Sequence, residues 1–517
     1  MAEYLSPGVY IEEVNSGPRP IEGVGTAMAA FVGFAPAGPV NQPTLVTNWS
    51  QYVDAFGIAE NGGRKNPHVK GAYLSHAVYG YFLNGGGRCY ITRVGDGGRA
   101  SKTASLQLPS RSSRAIASLT LQTKGDDSTA IDVEVNPPSG EAPPDGTFTL
   151  RFRKGTIEEK FENVSLGRAK GVKNVVETVN QTSQLVMVLE STSTGSLLDR
   201  SPELGTYVLT APESAALPLA IQPSALKGDA AARTGIEGLE VADDATMVCC
   251  PDLMSAFEAG LIDRDGVKAV QTGMIAHCER LGDRMAIIDP LPGLSPQEVK
   301  QWREKDTNYD SKHAALYYPW IKVAGPDGRP ITIPPSGHMA GVYARSDNER
   351  GVHKAPANEV LRGALEAASQ VTKGEQDLLN PIGVNCIRSF TGRGIRAWGA
   401  RTLSSDPAWR YINVRRLFNY VEKSIERGTQ WVVFEPNDAD LWARVRRDVG
   451  AFLTGVWRSG ALFGLSPEQA FFVKCDEELN PQDVRDRGQL VIEIGMAPVK
   501  PAEFVIFRLS QFAGGGA

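Results

Sequence analysis

The chain is 517 residues long, 42% hydrophobic and 22% charged. That composition supports two to four packed domains of ~100–200 residues each and excludes a wholly disordered chain. The net charge of −5 is small for the length, so composition leaves no electrostatic footprint for nucleic acid or a membrane surface.

Residues 1–7 lack the basic-then-apolar pattern of a Sec signal. No run approaches the ~18 apolar residues of a spanning helix. The sequence therefore predicts folding in the cytoplasm, with exit from the cell, if any, by a route such as lysis. Residues 7–14 read as a turn and a short strand, Val9, Tyr10, Ile11, Glu12, Glu13 and Val14, which Gly17, Pro18 and Pro20 stop. A terminal strand is ordered only when it pairs with a sheet edge, either that of its own domain or that of another subunit.

An α/β rhythm follows, with a strand at 29–35, helices at 49–56 and 75–83, and a strand at 88–94. It resumes with strands at 246–250, 284–289 and 314–320 and helices at 267–281 and 296–304. Such alternation predicts a mostly parallel sheet covered on both faces. Residues 98–235 differ in texture. They are rich in Ser, Thr, Gly and Pro, with β-like runs at 131–135, 147–152 and 185–189, and read as a β-rich domain inserted in a loop.

From about 376 the pattern changes again. Val414, Leu417, Phe418, Val421 and Ile425 recur at helical spacing, and Gly428 suits a helix C-terminus. A strand at 431–434 precedes a helix from Asn437 or Asp438 to about Ser459. The apolar stripe of that helix, Leu441, Trp442, Val445, Val449, Phe452, Leu453 and Val456, leaves Asp440, Arg447, Thr454 and Arg458 on the opposite face. Strands are predicted at 489–496 and at 504–509, the latter being Phe504, Val505, Ile506, Phe507, Arg508 and Leu509. The fold class is α/β and α+β multidomain. Its parts are an arm (1–25), a discontinuous α/β domain (26–97 and 236–375), the β-rich insertion (98–235) and a C-terminal α+β domain (376–517).

Chemistry-bearing motifs are scarce. The six cysteines form no C-x-x-C pair and read as buried thiols. Neither a P-loop nor a G-x-G-x-x-G fingerprint is present, and no cofactor or metal is expected. Asp289, Ser336 and His353 could form a hydrolase triad on a subtilisin-like α/β core, but no G-x-S-x-G elbow surrounds Ser336. Glu12-Glu13 and Asp476-Glu477-Glu478 suit solvated turns or ion-pair partners for a neighbouring subunit. From residue 381 onward 18 Lys+Arg face 15 Asp+Glu, so this third is mildly basic within an acidic chain. A cationic helix face docks against an acidic partner more readily than against nucleic acid when no aromatic groove accompanies it.

The segments 394–403 (GIRAWGARTL), 409–417 (WRYINVRRL), 431–437 (WVVFEPN) and 501–505 (PAEFV) resemble the contractile tail sheath family. The opening 4–13 (YLSPGVYIEE) and the stretches 334–345 (PPSGHMAGVYAR) and 355–358 (APAN) are similar to it too. The likeness covers roughly 1–95 and 240–517 and leaves 98–235 outside, as expected of a variable, outward-facing domain. It implies a structural protein rather than an enzyme. Subunits would stack in six-fold rings around an inner tube protein, meeting baseplate and cap proteins at the ends, with no nucleic acid partner and no membrane insertion. The C-terminal domain would lie innermost, its sheet completed by arms from neighbouring subunits. Those arms correspond to Val9–Val14 and to 504–509. The cationic face of the helix at 438–459, rather than the resemblance, makes Arg447 and Arg458 the candidate contacts with the tube. Assembly would take place in the cytoplasm, in a tail-like particle.

Overall fold

The strand β1 (Ala29–Gly33) is buried at all five positions, as a strand covered on both faces must be. Around it lie β2 (Thr44–Val46), β3 (Cys89–Arg93), β4 (Met247–Cys249), β5 (Met285–Ile288), β6 (Ala314–Tyr318), β7 (Val384–Phe390) and β8 (Gly394–Ala397). The spatial order is β2-β3-β1-β4-β5-β6-β7-β8, with a short Glu359–Val360 strand at the far edge. The run from β3 to β7 is parallel, while β2 and β8 pair antiparallel at its two sides. The computed structural model describes residues 20–506 apart from 60–64, 96–104, 113–115, 125–129, 141–142, 169–171, 192–195, 210–214 and 219. The expected arm Val9–Val14 and residues 507–509 lie outside the described residues.

Helices α1 (Trp49–Phe56), α2 (Leu74–Leu83), α3 (Arg264–Leu281) and α4 (Ser336–Arg350) cover this sheet. One apolar core joins Ala30, Val32 and Val248 to Val267, Val270 and Met274 of α3. The other joins Ala29, Phe31 and Cys249 to Ala77 of α2 and to Met339 and Tyr343 of α4. Successive strand residues serve opposite faces, as the pleat requires. The approach of α2 to α4 depends on glycine. A Cβ on Gly337 would fall 2.4 Å from Ala77 Cα, and one on Gly341 2.5 Å from the Tyr81 carbonyl. The five expected strands, β1, β3, β4, β5 and β6, lie within two residues of their expected bounds, whereas β2, β7, β8 and Glu359–Val360 are not among those expected.

The chain leaves the sheet after β3 and builds two smaller sheets. One has three strands, Ser105–Pro109, Ala117–Thr123 and Val186–Glu190. The other has five, including Ile131–Asn136, Thr147–Lys154, Ile157–Ser165 and Gly205–Leu209. Leu121, Val133, Phe148 and Phe152 fill the core between them. An unexpected helix, Val175–Thr182, is capped by Asn174. Within the insertion, the chain just past the first strand of one sheet is tied to the chain just ahead of the last strand of the other: Glu203 N–H donates to the Pro109 carbonyl at 2.8 Å and Arg111 N–H to that of Ser201 at 2.9 Å. Ile221, Leu226 and Ile236 already pack in the core of the parallel sheet, so the return to that core precedes residue 235.

The main sheet runs on through β7 and β8, so the architecture changes after Leu403 rather than at 376. Beyond it lie α5 (Ile412–Gly428), α6 (Ala439–Arg458) and the antiparallel pair β9 (Phe471–Lys474) and β10 (Glu493–Met496). Leu417, Val421, Leu441, Val445, Val449 and Leu453 form the core of this module. Gly428 closes α5 by making room rather than by a left-handed turn, since a Cβ there would lie 2.7 Å from Ile21.

Two expected strands differ. At 431–434 the apolar run finds no neighbouring strand. Gln430–Val432 is a 3-10 turn, after which Glu435 N–H donates to the Val432 carbonyl at 3.1 Å with Phe434 at φ +69°. That is a type II turn with phenylalanine where glycine is favoured. At the C-terminus, the described residues 504–506 make no ladder bonds.

Candidate assembly site

The C-terminal module meets the core at the ends where the parallel strands begin. Arg416 of α5 donates to Asp347 of α4 at 2.8 and 2.6 Å, with both side chains almost wholly buried, and also to the Thr26 carbonyl just before β1. A buried pair survives only when bidentate and fully hydrogen-bonded, because desolvation otherwise exceeds the attraction. Lys423 reaches Asp243 at 2.7 Å and Asp283 at 3.4 Å, ahead of β4 and β5, and Arg427 also binds Asp243. The hydrogen bond from Lys423 leads in holding the Asp243 carboxyl below its ordinary range.

A second constellation fixes the C-terminal segment. Arg401 donates to Glu503 through Nε at 2.8 Å and Nη2 at 2.7 Å. Asn380 Nδ2 donates to the same carboxylate at 2.7 Å and Tyr411 Oη at 2.9 Å. Burial pushes the Glu503 pKa up, but these donors outweigh it and the net shift is downward. Arg401 is itself tied to the sheet, since its N–H donates to Asn385 Oδ1 on β7 at 2.7 Å and its carbonyl accepts from Asn385 Nδ2 at 2.8 Å. Three segments that resemble the sheath family, around Arg401, Tyr411 and Glu503, thus converge here, although nothing in their spacing announces it. Immediately beyond, Phe504, Val505 and Ile506 are 70%, 69% and 79% exposed.

Arg447 and Arg458 both lie on the exposed side of α6. Arg447 Nε donates to the neighbouring Asp448 at 3.0 Å. Val433, Phe434, Phe463 and Leu465 also face solvent from this module, Phe434 completely.

The hydrolase triad is not assembled. Ser336 opens α4 and His353 lies past its end; the intervening helix of 15 residues spans ~22 Å. Ser336 is fully buried, and its backbone N–H donates to Asp289 Oδ1 at 2.9 Å, so Asp289 caps α4. At the switch point between β1 and β4, where open α/β sheets hold ligands, Asp252 accepts from the N–H groups of Phe34, Tyr73 and Leu74 and from Ser255. Burial pushes the carboxyls of Asp252 to about 6 and Asp289 to about 7. Among the described residues no cluster of three His, Cys, Asp or Glu could hold a metal. None of their helices is long and apolar enough to cross a membrane.

The described residues thus form a layered α/β protein with a capped, filled switch point and a C-terminal module that exposes large apolar side chains. Residues 244–403 match the profile of the phage tail sheath central domain and residues 404–512 that of the phage tail sheath C-terminal domain. The chain belongs to the phage tail sheath family. It is 30% identical over 177 residues to the tail sheath protein of Vibrio phage KVP40, covering 34% of this chain and 26% of that protein. With the tail sheath protein of Salmonella phage ViI it shares 29% over 259 residues, covering 44% and 38%. The chain thus spans well under two-thirds of the length of these relatives, which are structural proteins. Among solved structures, the contracted helical sheath of the anti-feeding prophage is similar at 26% identity and a TM-score of 0.58, covering 98% of this chain and 99% of that one. The anti-feeding prophage baseplate structure contains a chain similar at 26% identity and a TM-score of 0.55, covering 99% and 100%. Such coverage takes in 98–235, so the insertion is not outside the likeness.

Proposed function

We propose that the chain is the repeating subunit of a contractile sheath, polymerising as stacked six-fold rings around an inner tube and contracting to drive that tube outward. The observation that carries this is end-to-end similarity to the contracted anti-feeding prophage sheath. The exposed edges of the C-terminal module support it. Among the described residues β9 and β10 make a two-stranded sheet, which is marginal alone and offers an edge at each side for further pairing. Strands from neighbouring copies, Val9–Val14 from one and 504–509 from another, complete it by β-augmentation. Contraction is a rearrangement between two packings, with the stored energy in subunit contacts and no nucleotide consumed. The baseplate and a cap bound the polymer, and assembly takes place in the cytoplasm before any release by lysis.

Arg447 and Arg458 on α6 suit an acidic tube surface, where charge fixes register. Electron microscopy of the chain co-expressed with its neighbours tests the whole reading. Hollow striated tubes with six-fold symmetry are expected, and dispersed monomers in the presence of the tube protein would sink it. Charge reversal at both arginines is expected to strip the tube from the sheath; unchanged tube occupancy removes the α6 contact alone.

A further inference from the structure

The chain approaches its C-terminus as a strap with two fixed points. At the first, Ala497 N–H donates to the Ala470 carbonyl at 2.9 Å and Val499 N–H to that of Ala461 at 3.1 Å, inside the C-terminal module. The second is Glu503, which crosses back to the sheet core through Arg401, Asn380 and Tyr411. Pro498 and Pro501 stiffen the strap. After Glu503, the described residues Phe504–506 turn their side chains to solvent.

We propose that Glu503 is the positioning residue that holds the C-terminal arm taut, so that a pull exerted on the arm by a second copy of this chain reaches the parallel sheet instead of being absorbed as slack. The inference rests on the reading of 504–509 as an exchanged arm. The geometry favours an anchor over ordinary packing. One carboxylate collects four hydrogen bonds from three residues that lie 92 to 123 positions before it in the chain. Arg401, which carries the paired guanidinium, is fixed to Asn385 of β7 by its own backbone N–H and C=O. A bidentate, charge-assisted pair of this kind resists displacement along the chain direction better than apolar contacts, which slide. If it opens, residues 500–503 come free. At ~3.3–3.6 Å per extended residue, that lengthens the arm by up to ~14 Å. Slack on that scale exceeds the ~5 Å spacing between paired strands, so neighbouring subunits could move apart without pulling on one another.

Three variants of the full chain, co-expressed with the tube protein, test this. Truncation after Val505 removes most of the arm and is expected to reduce the assembled fraction at least about tenfold, the scale of a lost second linkage. Glu503→Gln breaks the charged clamp. Insertion of four Gly/Ser residues between Glu503 and Phe504 adds the same slack with the clamp intact, which separates slack from any loss of folding in the Gln variant. Both latter variants are expected to form extended tubes of which a much smaller fraction contracts in sub-denaturing urea. Only Glu503→Gln is expected to lower the melting temperature of the unassembled chain. Normal contraction of the insertion variant overturns the proposal, even if Glu503→Gln is unstable. If truncation leaves assembly unchanged, the arm reading itself fails and takes the proposal with it.

Discussion

The insertion and the C-terminal module are both small bodies attached to the same parallel sheet, yet they end their surfaces in opposite ways. On the five-stranded sheet of the insertion, Arg151 pairs with Glu134 and Glu158, Arg153 with Asp132, and Lys160 with Glu162. Neighbours across and along the strands neutralise one another, and among the described residues no large apolar side chain of the insertion is more than 53% exposed. The C-terminal module instead shows Phe434 wholly and Leu465 at 93% to solvent, and its sheet has two strands among the described residues. One body covers its own apolar surface; the other leaves large apolar side chains open to solvent. The module is joined to the parallel sheet through buried charge, the Arg416–Asp347 pair.

The sharpest break in that comparison is Asp347→Ala. It strands a buried Arg416 and is expected to cost about 3–5 kcal/mol, read as a shifted urea midpoint for the core and module with the insertion unaffected. The mirror experiment is Leu121→Ala in the insertion core, expected to cost about 2–5 kcal/mol there while sheath assembly persists. Loss of assembly would show that the insertion is not self-contained.

A gentler test uses pH. Burial raises the Asp252 and Asp289 carboxyls to about 6 and about 7. The folded chain then holds protons that the unfolded chain has already released. Stability is therefore greatest near and below the ordinary aspartate pKa, falls as pH rises towards about 7, and is flat above. Asp289→Asn is expected to flatten part of that slope in urea melts taken between pH 4 and 8. The smallest effect is Phe434→Gly. It relieves a left-handed φ of +69°, is expected to stabilise the unassembled chain by about 1 kcal/mol, and weakens assembly if the ring is an intersubunit contact. Equal assembly would mean that the exposed ring serves no partner.

The parallel sheet was legible because its strands are continuous apolar runs, and α6 because its stripe holds period for five turns. The strand expected at 431–434 failed because Trp431 to Phe434 look β-prone locally, while strand formation needs a partner that the fold does not supply. The helix Val175–Thr182 hid in a Ser/Thr-rich stretch with β-branched residues at its start; the Asn174 cap with Glu177 three residues on was its only signal. The change of architecture was placed too early because β7 and β8 lie beyond a loop-rich stretch and resemble their C-terminal neighbours in texture. The Glu503 clamp could not be read at all, since Arg401 and Asn380 lie 102 and 123 residues away.

The tight turn at Gly155 has a practical side. It joins the strands Thr147–Lys154 and Ile157–Ser165, whose ends Lys154 and Ile157 pair directly, and Gly155 and Thr156 are exposed, so the chain on its two sides lies one strand spacing apart, about 5 Å. A foreign domain whose own termini are adjacent can be spliced in there without cutting through either sheet of the insertion. The subunit therefore carries a ready-made cassette port, repeated once per copy along any polymer it forms.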